Sequence, residues 1–471
     1  MRIPIWLSTL LIALPFDCGN AQEWRQFRGP DSNPTSDNPD LPSVWSEEKN
    51  IEWSVDLPGR AWSSPIVTGG RIFLTTVITD GKSKPPETGT EYSNQYVAEL
   101  MKQGLGQEEI QAKVQARDIE LPSEVNVHFW LYCLDVETGE TLWKDEFFSG
   151  NPKGGRHRKG SFASETPVTD GNHVYVYIAN MGIFAYDLDG NLAWQTELKT
   201  HPIYLDFGTG SSPVLHDGRL ILVHDNEEDA FVAAFDTSDG SEVWRTEREP
   251  PADAPPQLPK SAWVTPYVWQ NELRTEIVTQ RPGLAISYDL EGNELWRLEG
   301  TSAAPAASSF ACGENLILNG GRRAPILSIA PGLQGTLKLD KDIADNKHIA
   351  WVAERAGTYI PSALAYSDGL YVLDDKGIMT KLNAETGEQV YKKRLSGKTA
   401  NITSSPWAYN NRVFCLSEQG DTYVLDSGAE FKIEATNSLN DFTMATPAIV
   451  GNRLILRTEK KLYSIRNEES E

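Results

Sequence analysis

One phrase recurs along this chain and constrains its fold more than any other feature. An Asp or Asn is followed three or four residues later by Gly, and that Gly four residues later by an aromatic. It reads Asp135-Val-Glu-Thr-Gly139-Glu-Thr-Leu-Trp143, then Asp187-Leu-Asp-Gly190-Asn-Leu-Ala-Trp194 and Asp236-Thr-Ser-Asp-Gly240-Ser-Glu-Val-Trp244. It returns as Asp289-Leu-Glu-Gly292-Asn-Glu-Leu-Trp296 and Asn383-Ala-Glu-Thr-Gly387-Glu-Gln-Val-Tyr391. Each copy specifies a hairpin. The Asp or Asn folds its side chain onto the turn, Gly takes positive φ, and the aromatic starts the return strand on a buried face.

A second phrase opens each unit: a small or hydroxyl residue with Pro, an apolar strand, a polar turn and another apolar strand. The openings fall at Ser64-Pro65, Thr166-Pro167, Ser212-Pro213, Thr265-Pro266, the region near Ala304-Pro305, Pro361-Ser362, Ser405-Pro406 and Thr446-Pro447. Pro suits a first strand residue, where no ladder donor is required. Together the phrases give about four short strands per unit. Closing aromatics recur every 40 to 55 residues if Trp351 is included, with Phe431 as a degenerate copy. That period and strand count fit the blades of an all-β, eight-bladed β-propeller. The last opening is followed by only three strands, while Ile51-Glu-Trp53-Ser-Val is an orphan closing strand near the N-terminus. The expectation is that Trp53 completes the last blade and leaves no open edge. Trp53, Trp143, Trp194, Trp244, Trp296, Trp351 and Tyr391 are read as blade-docking wedges rather than sugar or cofactor platforms, since aromatics locked to a repeat bury large areas.

Arg2, the apolar run from Ile5 to Leu14 and Gly19-Asn20-Ala21 form the pattern of a cleavable export signal over residues 1–21. Residues 22–471 then form a single propeller, periplasmic or secreted. A lipid anchor at Cys18 is disfavoured, because Pro15-Phe16-Asp17 is no small-residue box. No second apolar stretch approaches membrane length. With 43 Lys+Arg against 66 Asp+Glu, the net charge of -23 repels nucleic acid. Beyond the signal the chain keeps Cys133, Cys312 and Cys415, read as small buried hydrophobes. From Trp53 to Trp143 the chain runs roughly 40 residues longer than one blade needs. The excess, residues 79–127, has amphipathic helical spacing from Glu91 to Arg117 and reads as a small helical insertion in blade one.

The phrase Asp-x-x-Thr-Gly-Glu-x-x-Trp resembles the repeat of pyrroloquinoline-quinone (PQQ)-type propellers. That eight-bladed superfamily holds both quinoprotein alcohol dehydrogenases and the non-enzymatic outer-membrane-protein assembly factor BamB. The resemblance covers about Trp24 to Arg466 and implies the fold far more than the function. Trp24-Arg-Gln-Phe-Arg-Gly-Pro and Ser161-Phe-Ala-Ser-Glu-Thr-Pro-Val also look like exported propellers of uncharacterised role in planctomycete-type bacteria. The dehydrogenase branch implies an adjacent Cys-Cys pair stacked on the cofactor and a Ca²⁺ held by Glu, Asn and Asp. No two Cys are adjacent here and no CxxCH occurs. PQQ and Ca²⁺ are therefore disfavoured, and no cofactor is expected.

No HExxH, CxxC, GxSxG or P-loop occurs. Two loops remain as candidates. Arg156, His157, Arg158 and Lys159 form a basic patch ahead of Glu165, suited to carboxylate or phosphate groups of a ligand or envelope polymer; a solvated loop paired with nearby acids is the competing reading. Asp225, Glu227, Glu228 and Asp229 form an acidic turn whose oxygens suit Ca²⁺, although most such turns are only hydrated. The favoured function is a monomeric, non-catalytic scaffold that binds a protein or envelope ligand on one face. A PQQ- or quinone-dependent oxidoreductase and a polysaccharide-binding or cleaving module are the alternatives.

Overall fold

The computed structural model describes residues 23–81, 100–110, 112–113, 126–157, 159–251, 253–343, 345–397 and 399–468. Eight sheets follow one another around a ring. Blade one consists of Ile66–Thr68, Arg71–Thr79, Val127–Asp135 and Thr141–Gly150. Blade two is Val168–Thr169, His173–Ile178, Gly182–Asp187 and Leu192–Glu197. The pattern continues with inner strands starting at Val214, Tyr267, Phe310, Leu364, Trp407 and Ala448 for blades three to eight. Within each blade, successive strands pair antiparallel. The turns between the first and second strands and between the third and fourth therefore lie on one face, called here the hairpin face. The turns between the second and third strands, and the links between blades, lie on the other, the link face.

The core is a ring of seven apolar clusters between blades rather than one central mass. The middle strands, packed on both sides, are continuously buried, as in Val174 to Ile178. The outer strands alternate, as in Leu192–Glu197, where Trp194 and Thr196 turn inward. Each repeat phrase is a hairpin turn. Asp135 Oδ1 accepts the backbone N–H groups of Glu137 and Thr138, both at 2.9 Å, and Asn383 does the same for Glu385 and Thr386. The following Gly meets an indole of the preceding blade. A Cβ on Gly190, whose φ is +92°, would lie 2.7 Å from Cδ2 of Trp143. The same pairing joins Gly139 to Trp53, Gly240 to Trp194, Gly292 to Trp244 and Gly387 to Trp351. In each case the indole Nε1–H donates to a carbonyl of the next blade's turn, at 2.8 to 3.1 Å.

The ring closes through the N-terminal strand. Ile51–Asp56 pairs antiparallel with Lys461–Arg466, and Trp53 stands opposite Ser464. Glu52 clasps the joint, meeting Arg453 Nε at 2.6 Å, Ser464 Oγ at 2.8 Å and Arg466 Nη1 at 3.0 Å.

Three details differ from the sequence reading. In blade seven the position opposite Val424 is Ala435, not Phe431. Phe431 instead packs edge-on against Tyr391 at 5.5 Å, and the wedge toward blade eight is Trp45, stacked at 5.9 Å on Phe414. Blade five opens at Ser308-Ser309 rather than at Ala304-Pro305, since Phe310 is its first paired residue. Its outer turn carries no repeat phrase; residues Gly335–Lys338 extend from it and add a fifth, parallel strand to blade four beside Trp296. Trp296 accordingly docks on no glycine and donates instead to Glu276 of its own blade at 2.8 Å. The helical insertion leaves blade one at Thr79 and returns at Val127; residues 100–102, 107–110 and 112–113 are helical, and the rest of the expected helix lies outside the described residues.

A segment the sequence reading left unassigned crosses the hairpin face. Trp24 bridges to Val67 of blade one, and Arg25 accepts the Thr169 N–H of blade two. Asn33 then exchanges two hydrogen bonds with Ala365 of blade six, and Thr35–Ser36 pairs with Ala408 and Tyr409 of blade seven. Blades two and six are opposite one another in a ring of eight. The segment from Trp24 to Ser36 is therefore a strap over one mouth of the central tunnel.

Candidate ligand face

The inner strands are linked around the tunnel by hydroxyls at the blade openings. The Ser64 N–H donates to Thr166 Oγ1 at 2.9 Å, Thr166 to Ser212 at 2.9 Å, and Ser212 to Thr265 at 3.1 Å. A second arc runs from Ser308 to Ser362, Ser405 and Thr446 at 2.9 to 3.1 Å. Apart from Ser308 these residues appear in the sequence as companions of Pro; the role of the Thr166, Ser212, Thr265, Ser362, Ser405 and Thr446 hydroxyls as blade-to-blade acceptors follows from the ring and was missed.

On the link face, the basic loop lies at the tunnel mouth. Lys159 Nζ meets Glu418 Oε1 of blade seven at 2.6 Å, and both residues are buried. The carbonyl of Lys159 also accepts Trp62 Nε1–H at 2.8 Å. The Arg156 guanidinium stands over the ring of Phe162 at 5.4 Å, and the His157 ring meets Phe207 edge-on at 5.1 Å. Arg158 lies outside the described residues. Glu165 is 1 % exposed and accepts the N–H groups of Ser164 and Ala179 at 3.2 and 3.4 Å; burial pushes its carboxyl above the usual range.

The acidic turn does not converge. Asp225 is taken by Arg248, through Nε at 2.8 Å and Nη2 at 3.2 Å. Glu227 Oε1 accepts from the N–H groups of Lys260 and Ser261 and from the Ser261 hydroxyl, while Glu228 meets His201 Nδ1 at 3.2 Å. Asp229 is exposed, and its N–H donates to Asn226 Oδ1, which organises the turn. His224 is held neutral by burial, its pKa pushed down to about 3, and its Nε2 lies 3.1 Å from Asn180 Oδ1. Among the described residues no three His, Cys, Asp or Glu side chains form a metal-binding group. Cys133, Cys312 and Cys415 are unpaired and lie in blades one, five and seven. The described cysteines thus do not supply the adjacent disulfide that the quinoprotein resemblance implies.

The link face also carries aromatics that the sequence reading did not single out. Trp62, Phe162, Phe207, Trp263, Tyr359 and Phe442 each lie on a link between blades, two to five residues ahead of an opening hydroxyl, a spacing visible in the sequence once the ring is known. Trp62 packs on Phe442 at 5.4 Å, Phe207 on Trp263 at 6.4 Å, and Arg322 stands 5.4 Å over Tyr359. Apart from buried Trp62 these rings are half-buried. On the hairpin face a cleft of about 840 Å³ lies between the strap and blades two to four. Of the four carboxylates that line it, Glu23 is engaged by Thr68 and Arg25, Asp170 by Tyr175 and the backbone of the adjacent turn, and Asp217 lies 3.4 Å from His216 Nε2, with Asp31 the fourth.

A ring of four-stranded blades joined by tryptophan wedges, with hydroxyl-linked inner strands, defines an eight-bladed β-propeller. The family described as outer membrane protein assembly factor BamB matches residues 128–311 and 288–469, and the chain belongs to it. No curated protein matches the sequence. Among solved structures, BamB from Moraxella catarrhalis is similar at 11% identity and TM-score 0.50, over 73% of this chain and 92% of that one. Quinohemoprotein alcohol dehydrogenase from Comamonas testosteroni is similar at 10% identity and TM-score 0.55, over 95% and 81%. A europium-containing methanol dehydrogenase is similar at 10% identity and TM-score 0.58, over 93% and 88%. These likenesses concern the fold.

Proposed function

We propose that the chain is an exported, monomeric, non-catalytic propeller that holds a protein or envelope ligand across its link face. The observation that supports this most is the strap, which covers the tunnel mouth on the hairpin face. The link face is left with the insertion of blade one, the basic loop and the half-buried aromatics. Aromatic bodies beside guanidinium groups are the composition of protein-recognition surfaces, because they present large rigid area at low entropic cost. Family membership points the same way, since the name of the BamB family refers to assembly of outer membrane proteins. No helix among the described residues is long and apolar enough to cross a membrane.

The test compares the two faces. Arg156→Glu and Arg322→Glu alter the link face, and Asp217→Lys alters the cleft on the hairpin face. A partner crosslinked by the wild-type chain in native envelope is expected to be kept by Asp217→Lys and lost by the paired arginine variants. Retention by all variants, or loss with Asp217→Lys alone, overturns the assignment. In parallel, added PQQ and Ca²⁺ are expected to give no dye reduction with alcohols or aldoses; a robust cofactor-dependent rate would show an enzyme.

A further inference from the structure

Among the described residues five arginines are buried, and Arg28, Arg248 and Arg457 are treated in three different ways; Arg281, whose Nε and Nη1 also lack partners, has the charge of Asp225 near it. The side chain of Arg248 is 0% exposed and has a full counter-ion in the equally buried Asp225. Arg457 faces no carboxylate and its Nε is likewise without a partner, but its Nη1 is supplied with the carbonyl and hydroxyl of Ser63 at 3.2 and 2.9 Å and the Thr75 carbonyl at 2.8 Å. Arg28 has neither arrangement. It is 1% exposed, its Nη2 donates to the Ala363 carbonyl, and its Nε and Nη1 are buried without an acceptor. Burial is the cause that pushes its pKa down to about 9, and no carboxylate offsets it.

Its position makes this more than an ill-fitting side chain. Arg28 belongs to the strap, at the stretch that crosses from blade two to blade six, and its backbone is left-handed with φ +63°. Non-glycine residues rarely accept that conformation unless the surroundings fix it. The guanidinium reaches the inner strands of blades five and six, 5.2 Å from the Phe310 ring and on the Ala363 carbonyl. Ser308 and Ser309, immediately ahead of Phe310, carry buried hydroxyls that also lack partners. A buried guanidinium and two buried hydroxyls without acceptors cost far more than one hydrogen bond returns. The Arg28 Nε–H and Nη1–H groups, donors both, become favourable once an anion with acceptor oxygens lies against them, and a serine hydroxyl within reach can donate to the same anion.

We propose that Arg28, with Ser308 and Ser309, forms a binding site for a small oxyanion, a carboxylate, phosphate or sulfate group, beneath the strap at the closed end of the tunnel. The site is separate from the link face, and it stands whether or not that face binds a partner. Thermal unfolding is followed at constant ionic strength while phosphate, sulfate or succinate replaces chloride. At least one of them is expected to raise the midpoint saturably. The apparent affinity is expected to fall tenfold or more in Arg28→Lys, which keeps the charge and loses the planar fork, and to fall in Ser309→Ala. Preference for succinate identifies an organic carboxylate as the ligand, and preference for phosphate or sulfate an inorganic ion. Crystals of the wild-type chain soaked in selenate supply a reading independent of variant folding, with an anomalous peak expected within hydrogen-bond reach of Arg28 Nε or Nη1. Ordered water alone at that position, no saturable shift with any oxyanion, or a shift that Arg28→Lys leaves unchanged overturns the proposal.

Discussion

Gly190 shows how little one residue of the repeat can vary. Its φ of +92° is hostile to a side chain, and a Cβ would enter the indole of Trp143 at 2.7 Å, so two independent penalties fall on one methyl group. Gly218 separates them. It has a similar positive φ of +70°, but its nearest neighbour to a Cβ is Thr237 Oγ1 at 3.8 Å. Gly218→Ala is therefore expected to cost about 1 kcal/mol from backbone strain, and Gly190→Ala about 2–5 kcal/mol from strain and overpacking together. Urea unfolding of the two variants measures the difference, and equal losses would mean that the glycine contact with the indole contributes nothing. The repeat phrase was legible because each of its residues has such a local reason. Arg28 was not, because nothing near it in sequence indicates that its guanidinium ends under a strap against Phe310 and Ala363.

At the scale of elements, the blades could be read from sequence wherever turn chemistry and strand pattern agreed. Reading failed where one of the two was absent. Between Trp296 and Trp351 the repeat phrase is missing, and there the chain spends its residues on the added strand Gly335–Lys338. Residues 24–36 carry no strand pattern, since their partners are distant segments in blades one, two, six and seven. The acidic turn at Asp225 illustrates the limit for sites: neighbours in sequence share a charge, yet Arg248, Ser261 and His201 draw three of the carboxylates to separate places. The closing strand, by contrast, carries its own electrostatic signature. Burial alone would raise the Glu52 carboxyl, but hydrogen bonds from Arg453, Ser464 and Arg466 outweigh it and hold the carboxyl below its usual range. A depressed carboxyl stabilises the fold above the ordinary glutamate range and loses that contribution as pH falls through its lowered value. Glu52→Gln is thus expected to be less stable than wild type at neutral pH by about 0.5–1 kcal/mol, solvent screening of this exposed residue holding the loss down, with the gap closing in acid. Paired urea titrations across that range check it; a gap independent of pH would assign the loss to packing.

For the whole molecule, the ring converts a local pairing into a global constraint. Each blade exposes two faces that only its neighbours cover, so a missing strand in one blade is not a local defect. Without Ile51–Asp56, blade eight presents Lys461–Arg466 as an unpaired edge beside Gly139, whose indole partner Trp53 has gone. An exposed edge pairs with other chains, and a ring opened at one joint loses the coupling that makes its seven apolar clusters unfold together. Deleting residues 23–56 removes the strap as well, so a second variant is needed to isolate closure: Trp53→Ala, which keeps the strap and the strand but empties the wedge. The deletion is expected to yield soluble aggregates and a broad unfolding transition. Trp53→Ala is expected to remain monomeric with a stability loss of about 3–5 kcal/mol, comparable to that of Trp194→Ala in the middle of the ring. Light scattering and thermal unfolding measure both. If the joint were a weak seam rather than one interface among equals, Trp53→Ala would cost markedly less than Trp194→Ala, and the truncated chain would stay monomeric with an unchanged midpoint.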